Sequence, residues 1–271
     1  MLDGYEAVPR ISRSGTPDAP ARDIDLVNTY NLRDLGGYAT GSGLRVRWRR
    51  LFRGAGLQRL SGGDLQIVRD LGLRTVIDLR TEGELDLTGP CPTSDLGAAF
   101  HHLPILRRVW ERPAGEDLAE PGAYLAARYR EMLDEGAEMI AEALHILARP
   151  DAYPAVFYCA AGKDRTGVLA ALVLDAVGVV EDDIVFDYHL SGKQVQRMIE
   201  RARARAQERS ASFMAMVNQP PEIAGAPPQA MRSLLAWIRE HHGSTGAYLR
   251  EIGVGPEFVR RLADNLLERS R

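Results

Sequence analysis

The amino-acid sequence predicts an α/β fold, a central and mostly parallel sheet flanked by helices. Two short β-rich runs, residues 75–80 and 155–158, lie between longer segments of helical period, the order expected of layered α/β proteins. Residues 166–177 are apolar at almost every position and suit a helix buried against such a sheet. The chain has 271 residues, 45% of them hydrophobic and 26% charged, which is ample for a sizeable core.

The elements follow in order. Residues 1–25 are rich in Ser, Pro, Gly, Asp and Arg and lack periodicity, so a flexible arm is expected there. Residues 31–38 run into a tight Gly36-Gly37 turn, and the loose alternation over 44–52 suits a strand. Ser61 reads as an N-cap, Leu65, Val68 and Leu71 share one helical face, and Gly72 closes that helix. The runs 75–80 and 100–105 read as strands, with 90–97 and 107–122 as loops. A long helix is expected over 123–148, a strand over 155–158, and helices over 166–177 and 181–209. After the proline-rich break at 220–228 come two more helices, 229–241 and 256–268, the second with Pro256 in its first turn. Residues 26–271 thus read as a single domain, with 200–230 as either a mobile helical flap or a linker.

Composition narrows the function. Thirty-four basic residues against 37 acidic leave a formal charge of −3, which argues against a general nucleic-acid binder. Two cysteines, Cys91 and Cys159, do not make a secreted disulfide framework and fit a reducing compartment. No signal peptide or membrane-spanning run is visible, so a cytoplasmic protein without integral membrane association is expected. Only Lys163 and Lys193 are lysines, which marks Lys163 as a place where an ammonium has a local use.

The informative string is Tyr158-Cys159-Ala160-Ala161-Gly162-Lys163-Asp164-Arg165-Thr166-Gly167, set between an expected strand and an expected helix. Backbone N–H groups and a helix N-terminus converge on an anion at such a junction. Five residues separate Cys159 from Arg165, and a loop of five can curl with its N–H groups inward. Ala160, Ala161 and Gly162 are small enough not to obstruct that cradle. Arg165 can return across it to hold two phosphate oxygens in a fork, with Cys159 below in line to attack phosphorus. The helix dipole, the inward amides and Arg165 all favour thiolate over thiol. A nucleotide P-loop fails, because Asp164 stands where Ser or Thr must follow the lysine.

This string resembles the signature loop of the cysteine-dependent protein tyrosine phosphatases. It is most similar to the bacterial and fungal branch with a Cys-x-x-Gly-Lys-Asp-Arg-Thr-Gly loop, which includes mycobacterial and listerial phosphatases of broad specificity. Asn31-Leu32-Arg33-Asp34-Leu35-Gly36-Gly37, Ile77-Asp78-Leu79-Arg80 with Glu84, and Tyr248-Leu249 with Ile252-Gly253-Val254 resemble that branch too. The resemblance spans roughly residues 26–265. It implies a tyrosine phosphatase-like fold and phosphomonoester hydrolysis through a phosphocysteine, with no metal and no cofactor. It implies Cys159 as nucleophile, Arg165 as phosphate binder and transition-state stabiliser, and Thr166 as a hydrogen-bond donor to the thiolate. Lys163 falls where some relatives place an extra cation for phosphoinositide head groups. The implied substrates are phosphotyrosine proteins, with other phosphomonoesters and phosphoinositides as further classes. One departure is Tyr158, where many relatives carry a His that tunes the thiol.

The leaving oxygen needs a proton donor. Asp164 is nearest in sequence and the residue this branch assigns, against a reading in which it only caps the helix start. Glu111, Glu116 and Asp117 in the 107–122 loop are the alternative donors. Asp78 ends an expected parallel strand, where sites gather in α/β sheets; it either orients Arg165 or a water, or pairs structurally with Arg80. Arg33 and Asp34 read as braces for the loop. Two rival functions are a rhodanese-like sulfurtransferase, which also uses a loop cysteine, and a non-catalytic phospho-ligand module in which Tyr158 marks lost activation.

Overall fold

The computed structural model describes residues 20–110, 120–204 and 221–270. Its main sheet has five strands: β1 (Tyr30–Asp34), β3 (Leu51–Ala55), β4 (Thr75–Asp78), β5 (Ala99–His102) and β6 (Ala155–Cys159). They lie in the order β1-β3-β6-β4-β5. β1 runs antiparallel to β3, and every other pairing is parallel. A second, two-stranded antiparallel sheet joins β2 (Leu44–Val46) to β7 (Leu267–Arg269).

β6 is buried along its whole length and paired on both sides, which is why its sequence is a continuous apolar run. Side chains alternate across it. Phe157 and Cys159 join the larger apolar cluster, with Ile77 and Leu79 of the β4 side. Much of that layer comes from the helices α4 (Pro121–Glu135), α5 (Ala137–Leu147), α6 (Asp164–Ala176), α7 (Glu181–Ala204) and α9 (Pro228–His242). Val156 and Tyr158 face the other way, into a smaller cluster with Phe52, Val76 and Cys91. α1 (Gly62–Arg69) and α3 (Thr93–Leu96) cover that face through Val68 and Leu96.

Several boundaries differ from the sequence expectations. The strand over 44–52 is two strands, because Arg49 takes a left-handed conformation (φ 58°) and the chain turns between them. The helix over 123–148 breaks at Gly136, where the backbone meets Ile105 closely: an added Cβ would lie 2.6 Å from the Ile105 carbonyl oxygen. The loop at 90–97 contains the one-turn α3. Elements not anticipated include β1, α2 (Glu82–Thr88), α8 (Pro221–Ala224), α10 (Thr245–Glu251) and β7, which follows α11 (Pro256–Leu266) directly. The arm expected over 1–25 is tied down at its end. Ile24 donates to the Leu32 carbonyl, and the Arg22 guanidinium lies over the Tyr38 and Trp48 rings. Residues 1–19, and 205–220 of the expected flap, lie outside the described residues.

Gly136→Ala is expected to destabilise the protein by about 1–3 kcal/mol, the cost of overpacking at a backbone contact. Urea unfolding of the two proteins checks this.

Candidate active site

Cys159 ends the central strand, and α6 starts five residues later. The loop between them is held from outside by its carbonyls. Asn31 Nδ2 donates to the Ala161 and Gly162 oxygens (3.1 and 2.9 Å), and Arg53 Nη2 donates to the Gly162 oxygen (2.8 Å). In a trans peptide the C=O and the following N–H point in opposite directions. Fixing these two carbonyls outward therefore turns the amides of Gly162 and Lys163 inward. No hydrogen bond among the described residues engages the amides of Ala161, Gly162, Lys163 or Asp164. Gly162 is required at this bend: its φ is +64°, and a Cβ would run into the Gly54 carbonyl.

The outer clamp is itself built around a buried carboxylate. Asp187, on α7, accepts from Arg33 Nε (2.9 Å) and Arg53 Nη1 (2.5 Å), and from the Tyr38 hydroxyl (3.1 Å). Burial would raise the Asp187 pKa, but Arg33 and Arg53 overcome it and hold the carboxyl well below the usual range. For Arg53 the balance runs the other way. Burial and the neighbouring Arg33 lower its pKa to about 10 against the pull of Asp187. Asn31 has a left-handed backbone (φ 58°) at an irregularity in β1, which aims its amide at the loop, and Arg33 Nη1 donates to its Oδ1.

Arg165 is gripped by Glu84, through Nη1–Oε2 (2.5 Å) and Nη2–Oε1 (3.0 Å). Glu84 is also the third residue of a capping box on α2: Thr81 N donates to its Oε2 (2.9 Å), and Glu84 N donates to Thr81 Oγ1 (3.2 Å). Burial pushes the Glu84 pKa up, but Arg165 and the Thr81 bonds bring it down to about 2. On Arg165, burial disfavours the charge, yet Glu84 and the Cys159 sulfur outweigh it and hold the guanidinium above its usual range. The grip uses one end of the fork and leaves Nε and the second Nη2 hydrogen for an anion.

Asp164 opens α6. Its Oδ1 accepts from the Tyr129 hydroxyl (2.7 Å) and pairs with Lys163 Nζ (2.8 Å). Lys163 is buried, and its Nζ also donates to the Ile223 carbonyl (2.9 Å). α8 thus lies over the loop, where Ala161 packs on the cluster of Val195, Met198, Ile199 and Ala224. The ammonium expected to meet a second phosphate is therefore turned onto Asp164 and α8. Thr166 Oγ1 is buried with no partner among the described residues, so the hydroxyl–thiolate bond implied by the resemblance is not formed.

Asp78 is placed differently from the first of its two readings. Its carboxylate pairs with Arg80 (Nη2–Oδ2 2.6 Å) and accepts from the Tyr158 hydroxyl (2.6 Å), and Arg165 takes Glu84 instead. The reason is strand alternation. Asp78 pairs in register with Tyr158, one residue out of phase with Cys159, and so projects from the opposite face of the sheet. The Tyr158 hydroxyl is locked into that far-side pair, its pKa raised by burial and by Asp78. Cys91 lies on the same far side, where burial pushes its thiol up to about 12. Both cysteines are free. Arg33 does brace the loop, through Asn31 and Asp187, whereas Asp34 accepts from the Gly36 and Arg49 amides and shapes the turn after β1. Glu111, Glu116 and Asp117 lie outside the described residues.

A model of the tyrosine phosphatase family matches residues 24–268, nearly the whole chain. The chain belongs to the tyrosine phosphatase family. This phosphatase is 30% identical to the triple specificity protein phosphatase PtpB of Mycobacterium tuberculosis, over 90% of this chain and 98% of the relative. It is 27% identical to a tyrosine-protein phosphatase of Nostoc commune, over 78% of this chain and 71% of the relative. The sulfurtransferase and non-catalytic readings give way to a phosphatase enzyme. No helix among the described residues of the phosphatase is long and apolar enough to cross a membrane.

Sequence reasoning did not assign roles to Asn31, Arg53, Glu84, Asp187, Tyr129 or Tyr188. Two of them carried a signal. Thr81-x-x-Glu84 is a capping-box pattern, and Asp187 falls on the apolar face of α7 between Val185 and Tyr188, where an unpaired acid would not be tolerated.

Because Glu84 is depressed from 4.5 to about 2, its pairing stabilises the fold fully above pH 4.5 and loses that effect as pH falls toward 2. Glu84→Gln is expected to lower stability at pH 7 by about 3 kcal/mol, with the deficit shrinking below pH 4.5. Urea titrations of both proteins at pH 7, 4.5 and 3.5 measure it.

Proposed function

We propose that this phosphatase hydrolyses phosphomonoesters, phosphotyrosine first among them, through a phosphocysteine on Cys159. The observation that carries the reading is the loop whose carbonyls are clamped outward and whose amides turn inward between Cys159 and Arg165. The phosphoryl group sits in that cradle, on the amides from Ala160 to Lys163 and on the free edge of Arg165. The Cys159 thiolate attacks phosphorus as the bond to the leaving oxygen breaks, and Asp164 gives that oxygen a proton. Water then attacks phosphorus and loses a proton to Asp164, the S–P bond breaks, and inorganic phosphate leaves. Arg165 and the inward amides hold the charge on the equatorial oxygens in both steps. Thr166 Oγ1, buried and without a partner, is a donor in reserve for the departing thiolate. No step calls for a metal or cofactor.

Residues 26–271 act as one phosphatase domain, and a reducing cytoplasm keeps its catalytic thiol free. The name of the mycobacterial relative, a triple specificity phosphatase, supports a range beyond phosphotyrosine. Phosphoserine, phosphothreonine and phosphoinositides are the further classes. A second phosphate on an inositol ring would have to compete with Asp164 and the Ile223 carbonyl for Lys163.

The wild type is expected to hydrolyse p-nitrophenyl phosphate in the presence of EDTA, and Cys159→Ser to lose at least about a thousandfold in kcat. Absence of turnover by folded, reduced wild type, or full activity in the serine variant, defeats the reading.

A further inference from the structure

We infer that Tyr129, backed by Tyr188, is the positioning residue that fixes which oxygen of Asp164 delivers the proton. The inference rests on Asp164 being the proton donor. Tyr129 is fully buried on α4 and Tyr188 almost so on α7, and their rings meet edge to face at 6.0 Å. Their hydroxyl oxygens are 2.7 Å apart, and Tyr129 Oη is 2.7 Å from Asp164 Oδ1.

The direction of the chain follows from counting hydrogens. Tyr129 has one, and a carboxylate oxygen can only accept it. The Tyr129 oxygen must then accept from Tyr188, whose hydroxyl has no other partner among the described residues. Both O–H groups therefore run toward Oδ1. Lys163 Nζ reaches the same Oδ1 at 2.8 Å. Two donors occupy the two lone pairs of that oxygen, so a proton on this carboxyl has to sit on Oδ2. Oδ2 has no partner among the described residues, and the Asp164 side chain keeps 19% of its exposure. Burial, with the Asp164 charge beside both hydroxyls, pushes the two phenols well above their ordinary range, so they remain neutral donors.

In the reaction, the proton on Oδ2 passes to the leaving oxygen as its bond to phosphorus breaks and the S–P bond forms. The carboxylate left behind keeps its orientation through the Tyr129 and Lys163 bonds to Oδ1. Tyr129 touches neither substrate nor phosphorus. Its effect should appear only where the leaving group needs the proton.

Leaving-group dependence tests this. Tyr129→Phe keeps the ring in its packing and removes only the hydroxyl. The readout is kcat/KM, which reports the half-reaction that expels the leaving group. On phenyl phosphate, whose leaving group is as basic as that of phosphotyrosine, Tyr129→Phe is expected to lose about tenfold, a fraction of the full effect of a general acid. On 2,4-dinitrophenyl phosphate, whose leaving group departs unprotonated, it should lose less than twofold. Tyr188→Phe should show the same split at smaller size. Asp164→Asn is run beside them and should show the largest split. Equal losses on both substrates in Tyr129→Phe, or no loss on either, overturn the inference. If Asp164→Asn shows the split and Tyr129→Phe does not, the positioning role alone falls. If Asp164→Asn shows none, the proton-donor reading falls and takes this one with it.

Discussion

The site depends on one buried carboxylate. Asp187 allows two guanidinium groups, Arg33 and Arg53, to sit inside the protein with almost no exposure. An unpaired buried arginine is prohibitively costly, and a carboxylate shared between two is tolerated only when its remaining lone pairs are also filled. Here they are, by hydrogen bonds from Tyr38 and both arginines. Arg53 Nη2 then donates to the Gly162 carbonyl, and Arg33 orients Asn31. A helix remote in sequence thereby sets which way two peptide groups of the loop after Cys159 point. The inward turn of the loop amides is a by-product of how charge is neutralised behind it.

A second carboxylate performs the same service in front. Glu84 holds Arg165 while completing the cap of α2. The start of α2 and the hold on the Arg165 fork are therefore one structure. The two acids differ in what their partners have left: the arginines around Asp187 are enclosed and turned onto protein atoms, while the guanidinium held by Glu84 keeps one edge for an anion. The fork is thus preorganised without being consumed.

The part of this arrangement legible in the sequence is the part that is local. Cys159, Arg165 and the small residues between them lie in one strand-loop-helix string, so spacing alone suggested their geometry. The parallel sheet was legible from the apolar runs that became β4 and β6. The side of the sheet on which Asp78 emerges was also available, since strand period 2 puts it out of phase with Cys159, but only once the register of β4 against β6 is known. Asp187, Arg53, Tyr129 and Tyr188 come from elements far apart in the chain. Their meeting depends on helix packing angles that no local pattern encodes. Gly136 shows the same limit on a smaller scale: the helix on either side continues in propensity and is broken by a contact with Ile105.

Alternation along β6 also bears on the oxidation chemistry of Cys159. Cys159 and Tyr158 are neighbours in sequence on opposite faces of the sheet, and Cys91, the one other cysteine of the chain, packs on the Tyr158 face. Burial holds the Cys91 thiol protonated, which makes it a poor attacker of any sulfur. A sulfenic acid formed on Cys159 therefore has no resolving thiol within its own chain on its own side of the sheet. Its reduction falls to thiols supplied by the surroundings, so the lifetime of the oxidised enzyme is set by its compartment rather than by a second cysteine of its own chain.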